Sequence, residues 1–194
     1  MGKAYANKKV ITDRPLGDFY STPTSLTLVA RDIIEQEIPK EEIVLEPCAG
    51  DGGISIPLRN LGYIVKENDL YRGGVDYLST KFEELYVVTN PPFSLWDEFV
   101  KKIKKESLKS MVIGRLNYFG TDSRSKSGIW NNLKSVFCFN RYIDYRTPFR
   151  DDGRFYVGAT ATAWFLFDSG YCGDATIHVL DVQKYASLGQ YKGV

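Results

Sequence analysis

Ile43-Val44-Leu45-Glu46-Pro47-Cys48-Ala49-Gly50-Asp51-Gly52-Gly53 sets a short apolar run against an acid, a proline and a cluster of glycines. The run is too short for a helix and reads as a strand buried on both faces, stopped by Pro47. Gly50 and Gly52 lack a Cβ, so the turn can take left-handed conformations and let a ligand approach the main chain. Ser55 stands where the dinucleotide fingerprint GxGxxG requires its third glycine, and the GK[ST] of a phosphate-cradling loop is missing. What remains is an acid-Pro-x-x-Gly-x-Gly turn leading into a short helix through Leu58 and Leu61. A plain tight turn between strand and helix would look the same.

On either side, apolar runs alternate with helical patterns. Upstream, Thr22 reads as a cap and Pro23 as the first helical residue, with Leu26, Val29, Ala30, Ile33 and Ile34 on one face and Pro39 as the stop. Downstream, Tyr63-Ile64-Val65 begins a second strand that closes near Asp69, and Val75-Asp76-Tyr77-Leu78 reads as a weak third. Leu85-Tyr86-Val87-Val88 is a fourth strand. Ser94 reads as the cap of the next helix, which buries Trp96, Phe99, Val100 and Ile103. Ser110-Met111-Val112-Ile113 is a fifth strand, and segments 136–144 and 161–167 supply two more. Thr176-Ile177-His178-Val179-Leu180 alternates as an edge strand, where His178 is structural. This order predicts an α/β fold with a mostly parallel sheet covered by helices on both faces. Such sheets bind ligands beyond the carboxyl ends of their strands, where strand order reverses.

The 194 residues carry 25 Lys+Arg against 24 Asp+Glu, so any nucleic-acid binding needs a local patch on a neutral body. Residues 1–17 read as a loose basic arm, and residues 18–194 as a single domain. Three scattered cysteines and one histidine argue against a disulfide framework and against a metal site. No apolar run approaches the ~20 residues of a membrane span, and the lysine-rich start has no apolar core behind it. The expected location is cytoplasmic.

Asn90-Pro91-Pro92-Phe93 follows the fourth strand. Two prolines fix φ and remove two donors, leaving carbonyl acceptors in a rigid loop; the asparagine adds an amide oxygen and the phenylalanine a flat face. This combination suits a planar NH₂ on a π system, whose lone pair is delocalised and poorly nucleophilic. Hydrogen bonds from both amino protons to Asn90 and the Pro91 carbonyl favour a pyramidal nitrogen. Asp69, with Glu67 as the alternative, stands about 20 residues beyond the glycines, where a carboxylate can accept from ribose hydroxyls. Asp76 can accept from an adenine amino group, with Tyr77 packed on the ring.

The glycine turn resembles the S-adenosylmethionine (AdoMet) turn of Rossmann-like class I methyltransferases, which implies their α/β fold with a mostly parallel seven-stranded sheet and helices on both faces. The order Asp18-Phe19-Tyr20-Ser21-Thr22-Pro23, Glu46-Pro47-Cys48-Ala49-Gly50-Asp51-Gly52 and Asn90-Pro91-Pro92-Phe93 is similar to the amino-group-methylating DNA methyltransferases of the N6-adenine type, above all the small phage and prophage members. Softer likeness continues through Arg115-Leu116-Asn117-Tyr118, Arg146-Thr147-Pro148-Phe149 and Ala163-Trp164-Phe165-Leu166-Phe167. The resemblance implies AdoMet as cofactor, held by Tyr20, Thr22, Pro23, Glu46, Pro47, Ala49, Gly50, Gly52, Asp69, Leu70, Asp76 and Tyr77. It implies Asn90, Pro91, Pro92 and Phe93 as the catalytic segment, and Phe149 as a second aromatic wall for a flipped base. It also implies DNA as substrate, with no membrane and no metal, and a restriction-modification or phage setting in a bacterial cytoplasm.

No stretch is long enough for a separate target-recognition domain. DNA contacts then fall to loop 119–130, with Arg124 and Lys126, and loop 147–160, with Phe149, Arg150, Arg154 and Tyr156. Alternatives are an amino group of RNA adenine or of cytosine, the amide of a protein glutamine, and a non-catalytic DNA-binding protein of the same fold. The oligomeric state stays open between monomer and homodimer.

Overall fold

The structure is a computed structural model that describes residues 21–143, 145, 158 and 160–184. The expected arm over 1–17, and Tyr20, Phe149, Arg150, Arg154 and Tyr156, lie outside them. In chain order the elements are α1 (Thr24–Leu28), α2 (Arg31–Glu37), β1 (Ile43–Glu46), α3 (Ser55–Asn60), β2 (Ile64–Glu67), β3 (Tyr86–Thr89), α4 (Trp96–Glu106), β4 (Lys109–Arg115), α5 (Asp122–Lys126), β5 (Leu133–Phe139), β6 (Thr162–Asp168) and β7 (Thr176–Leu180). The strands form one seven-stranded sheet in the order β2-β1-β3-β4-β6-β5-β7. All neighbours are parallel except β6, which runs antiparallel to both β4 and β5. This is the expected α/β architecture, with a mixed rather than wholly parallel sheet. No helix among the described residues is long and apolar enough to cross a membrane.

Both faces of the sheet are buried along its inner strands, which explains their unbroken apolar runs, whereas the edge strands β2 and β7 are mostly exposed. Val44, Val88, Met111, Ile113, Trp164 and Leu166 pack with Leu26, Ala30, Ile34 and Leu58 from α1 to α3. Leu45, Val87, Val112, Phe165 and Phe167 pack with Trp96, Phe99, Val100 and Ile103 of α4. Two indole N–H groups tie the layers together: Trp164 donates to the Leu26 carbonyl at 2.8 Å, and Trp96 to that of Ile113 at 2.9 Å.

Local details depart from the sequence reading. The helix expected from Thr22 to Pro39 breaks at Val29–Ala30. Trp164 takes the Leu26 carbonyl, and the Ala30 N–H turns to Thr27 instead. Pro23, not Thr22, holds the N-cap position, and Ser94 caps nothing, because Phe93–Leu95 forms a 3-10 turn ahead of α4. Segment 75–78 is no strand. The Asp76 carboxylate accepts from Leu78 N–H at 3.0 Å, and Asn68 holds Val75 through both its N–H and its carbonyl, so the main chain curls.

One buried carboxyl joins the parts that frame the site. Glu46 Oε1 accepts from the Cys48 N–H at 3.0 Å and from Thr89 Oγ1 at 2.7 Å, locking β1 and β3 to the turn between β1 and α3. Glu46 is fully buried and its Oε2 has no partner. Burial therefore pushes its pKa up to about 8, against the hydrogen bonds that favour the anion.

Two outcomes follow. The folded state keeps a proton on Glu46 from the ordinary carboxyl range, 4.5, up to about 8, so this contribution to stability is lost as pH rises through that window. Glu46→Gln mimics the protonated group, so the melting temperature of the variant minus that of the wild type should climb from pH 5 to pH 8. A flat difference would mean an ionised Glu46. Separately, a Cβ on Gly114 would sit 2.7 Å from Trp96 Nε1 and 3.0 Å from the Phe165 ring, and Trp96 is tied by its own hydrogen bond. Gly114→Ala should destabilise by roughly 1–3 kcal/mol in thermal unfolding.

Candidate active site

The site lies where strand order reverses: the chain leaves β1 through α3 toward β2, while β3 lies on the other side of β1. At the carboxyl ends of these strands sits a cavity of about 470 Å³. Its volume suits a ligand of nucleoside size.

The glycine turn forms its floor. Gly50 and Gly52 both take positive φ, 50° and 81°, the backbone state that favours glycine. The Gly50 N–H donates to Asp69 Oδ2 at 2.9 Å, and the Tyr71 N–H to Asp69 Oδ1 at 2.9 Å. Two backbone donors thus hold the carboxylate in place, and each oxygen keeps a further lone pair for the cavity. Glu67 is engaged elsewhere, with Ser55 Oγ and with Arg59 at 3.0 Å, and of the two acids Asp69 is the one that lines the cavity. Residues 21–23 rest on the turn so closely that a Cβ on Gly53 would stand 1.8 Å from the Thr22 carbonyl oxygen.

The far wall is a slot for a flat ring. Tyr77 is buried and stacks on Phe99 at 5.2 Å, and Leu78, Val75 and Cys48 complete the apolar lining. Desolvation holds both the Tyr77 phenol and the Cys48 thiol in their neutral forms. A neutral Cys48 is no nucleophile at physiological pH.

Asn90-Pro91-Pro92-Phe93 closes the cavity on the β3 side. The Asn90 Nδ2 donates to Thr22 Oγ1 at 3.0 Å, across 68 positions of sequence. This turns the amide so that Oδ1, buried and without a partner, is its remaining acceptor. Phe93 is clamped: the Arg115 guanidinium lies 4.7 Å over its ring, Tyr145 meets it edge-on at 5.8 Å, and Tyr118 donates to its carbonyl at 3.1 Å.

Of the residues singled out from sequence, Thr22, Pro47, Ala49, Gly50, Asp69, Leu70, Asp76, Tyr77, Asn90, Pro91, Pro92 and Phe93 line this one cavity. Pro23, Glu46 and Gly52 do not line it; they stand behind the lining, as cap, clamp and turn. Cys48, Tyr71, Leu78 and Phe99 line it without having been foreseen in that role. Phe99 sits on the α4 face whose spacing signals only core.

The proposed DNA contacts of loop 119–130 fare differently. Arg124 pairs with Asp97 at 2.7 Å and lies 4.1 Å over the Tyr118 ring, which fastens α5 to α4. Lys126 pairs with Asp122 one helical turn back at 2.7 Å. Neither lines the cavity. Among the described residues no cluster of His, Cys, Asp and Glu could hold a metal ion.

No family model matches the sequence, and comparison with curated proteins found none similar. Solved structures do match. A protein from Listeria monocytogenes assigned to the class I S-adenosylmethionine-dependent methyltransferases superposes with a TM-score of 0.61 at 12% identity, over 82% of this chain and 65% of that one. A protein from Pyrococcus horikoshii assigned as an RNA methyltransferase gives 0.54 at 16% identity, over 86% and 92%. A modification subunit of an assigned type I restriction enzyme from Vibrio vulnificus gives 0.53 at 16% identity, over 83% and 47%. The chain thus spans about two thirds of the Listeria protein and about half of the Vibrio subunit. At these identities the likeness establishes architecture: the chain has the Rossmann-like class I methyltransferase fold.

Proposed function

We propose that the chain transfers a methyl group from AdoMet to the exocyclic amino group of adenine in DNA, acting on a flipped base by direct in-line transfer without a metal. The observation that carries this reading is that Asn90, whose Oδ1 is buried and without a partner, lines together with Pro91 the same cavity as Tyr77 and the pre-set carboxylate of Asp69. A buried acceptor without a donor costs about 1–3 kcal/mol, a cost removed when a ligand N–H arrives.

The residues fit the cofactor. Asp69 accepts from ribose hydroxyls, Tyr77 and Leu70 flank the adenine, Asp76 faces its amino edge, and the positive-φ glycines let the methionine end approach the main chain. AdoMet supplies an electrophilic methyl carbon: the N–C bond forms as the C–S bond breaks, and sulfur keeps the electron pair. Asn90 Oδ1 and the Pro91 carbonyl hold the two amino protons, drawing the nitrogen lone pair out of the ring; afterwards one of those protons leaves to water. Phe93, stiffened by Arg115 and Tyr145, offers its open side to the base. Flipping the base costs a few kcal/mol, recovered by stacking and edge hydrogen bonds.

Asn90→Ala should lower kcat on DNA about 100-fold or more, since its oxygen acts where charge develops, and leave AdoMet affinity within about twofold by calorimetry. Asp69→Ala should weaken AdoMet binding roughly tenfold or more, through lost hydrogen bonds to the ribose and an untethered turn. Near-normal turnover by Asn90→Ala would remove the proposed amine activation. Tritium from labelled AdoMet should enter DNA; label confined to RNA or to protein would overturn the substrate.

A further inference from the structure

Four of the six described arginines face a carboxylate: Arg31 with Asp32, Arg59 with Glu67, Arg72 with Asp51 and Arg124 with Asp97. The other two, Arg115 and Arg141, have no acidic partner among the described residues, and both lie at the same end of the sheet. Arg115 is the last residue of β4. Arg141 follows β5, which ends at Phe139, by two positions and is exposed. Between them runs β6, whose first residue, Thr162, pairs with Arg115 and whose next, Ala163, pairs with Cys138. Two strand spacings therefore separate the arginines laterally, ~10 Å.

Arg115 is the more telling. Its guanidinium lies 4.7 Å over the Phe93 ring, and its Nε is buried with no hydrogen-bond partner. A half-buried cation without an anion is costly, and the planar guanidinium fork matches a phosphate. Asp69 and Asp76 stand over β2 and β1, where a sulfonium cofactor is proposed, and Arg115 and Arg141 stand over β4 and β5, beyond Phe93.

We infer, resting on the reading of the substrate above, that Arg115 and Arg141 form the phosphate-binding side of the site and hold the sugar-phosphate backbone of the target strand while its base enters beside Phe93. They replace Arg124 and Lys126, which acidic neighbours neutralise, as the cationic contacts among the described residues.

The experiment measures binding of a duplex DNA oligonucleotide across a salt series for wild type, Arg115→Gln, Arg141→Gln and Lys105→Gln. Lys105 is an exposed residue at the end of α4, which leads back to the start of β4, at the opposite end of the strands from the cavity mouth. Each arginine variant should weaken binding several-fold at ~0.1 M salt and reduce the slope of log K against log salt by about one. AdoMet affinity should not change, and Lys105→Gln should match wild type. Slopes equal to wild type for both arginine variants, or an equal loss in Lys105→Gln, would overturn the inference while leaving DNA methylation standing. Should Arg115→Gln fail to fold, Arg141→Gln carries the test, because its side chain is exposed. A wild-type protein that neither binds nor methylates DNA would instead overturn the substrate reading itself.

Discussion

The hydrogen bond from Asn90 Nδ2 to Thr22 Oγ1 is the constraint on which the proposed chemistry depends. An amide offers a donor end and an acceptor end, and which end stays unpaired sets what it can still bind. Here the donor end is taken, so Oδ1 is the remaining acceptor, in a loop whose two prolines bring no competing N–H. The same bond anchors residues 21–23, which press on Gly53 at the glycine turn. Glu46 ties that turn to β3 from below. The acceptor pair and the cofactor floor are thus held in one rigid frame, and positioning of that kind is what an in-line transfer needs.

The proposed contacts divide by strand. The carboxylates Asp69 and Asp76 line the cavity, and Arg115 and Arg141, without a carboxylate partner among the described residues, stand at the ends of β4 and β5. On the proposed reading, such a local cationic pair lets a neutral chain hold a polyanion without a global basic field.

Much of this was legible before any coordinates. The runs at Ile43-Val44-Leu45, Val87-Val88 and Ala163 to Phe167 are apolar on both faces because helices cover both faces, so they read as buried strands. The turn after β1 and the loop after β3 could be placed at the mouth from strand order alone. Other features rest on partners distant in sequence. Trp164 breaks the first helix by taking a carbonyl 138 positions away. Arg124 looks free in sequence but meets Asp97 from another helix. Segment 75–78 has the composition of a strand, yet the local bonds of Asp76 and Asn68 curl it into a turn. Arg115 opens one of the softer motifs, but that it meets no carboxylate among the described residues shows only in three dimensions.

The most direct measurement is a crystal structure of the protein with sinefungin, an AdoMet analogue whose amine stands where the sulfonium methyl would be. The expected result is the adenosine between Asp69 and Tyr77, with the analogue's amine donating to Asn90 Oδ1 at ~2.9 Å. An analogue seated elsewhere, or one whose amine points away from Asn90 with Oδ1 still unpaired, would contradict the account at its root.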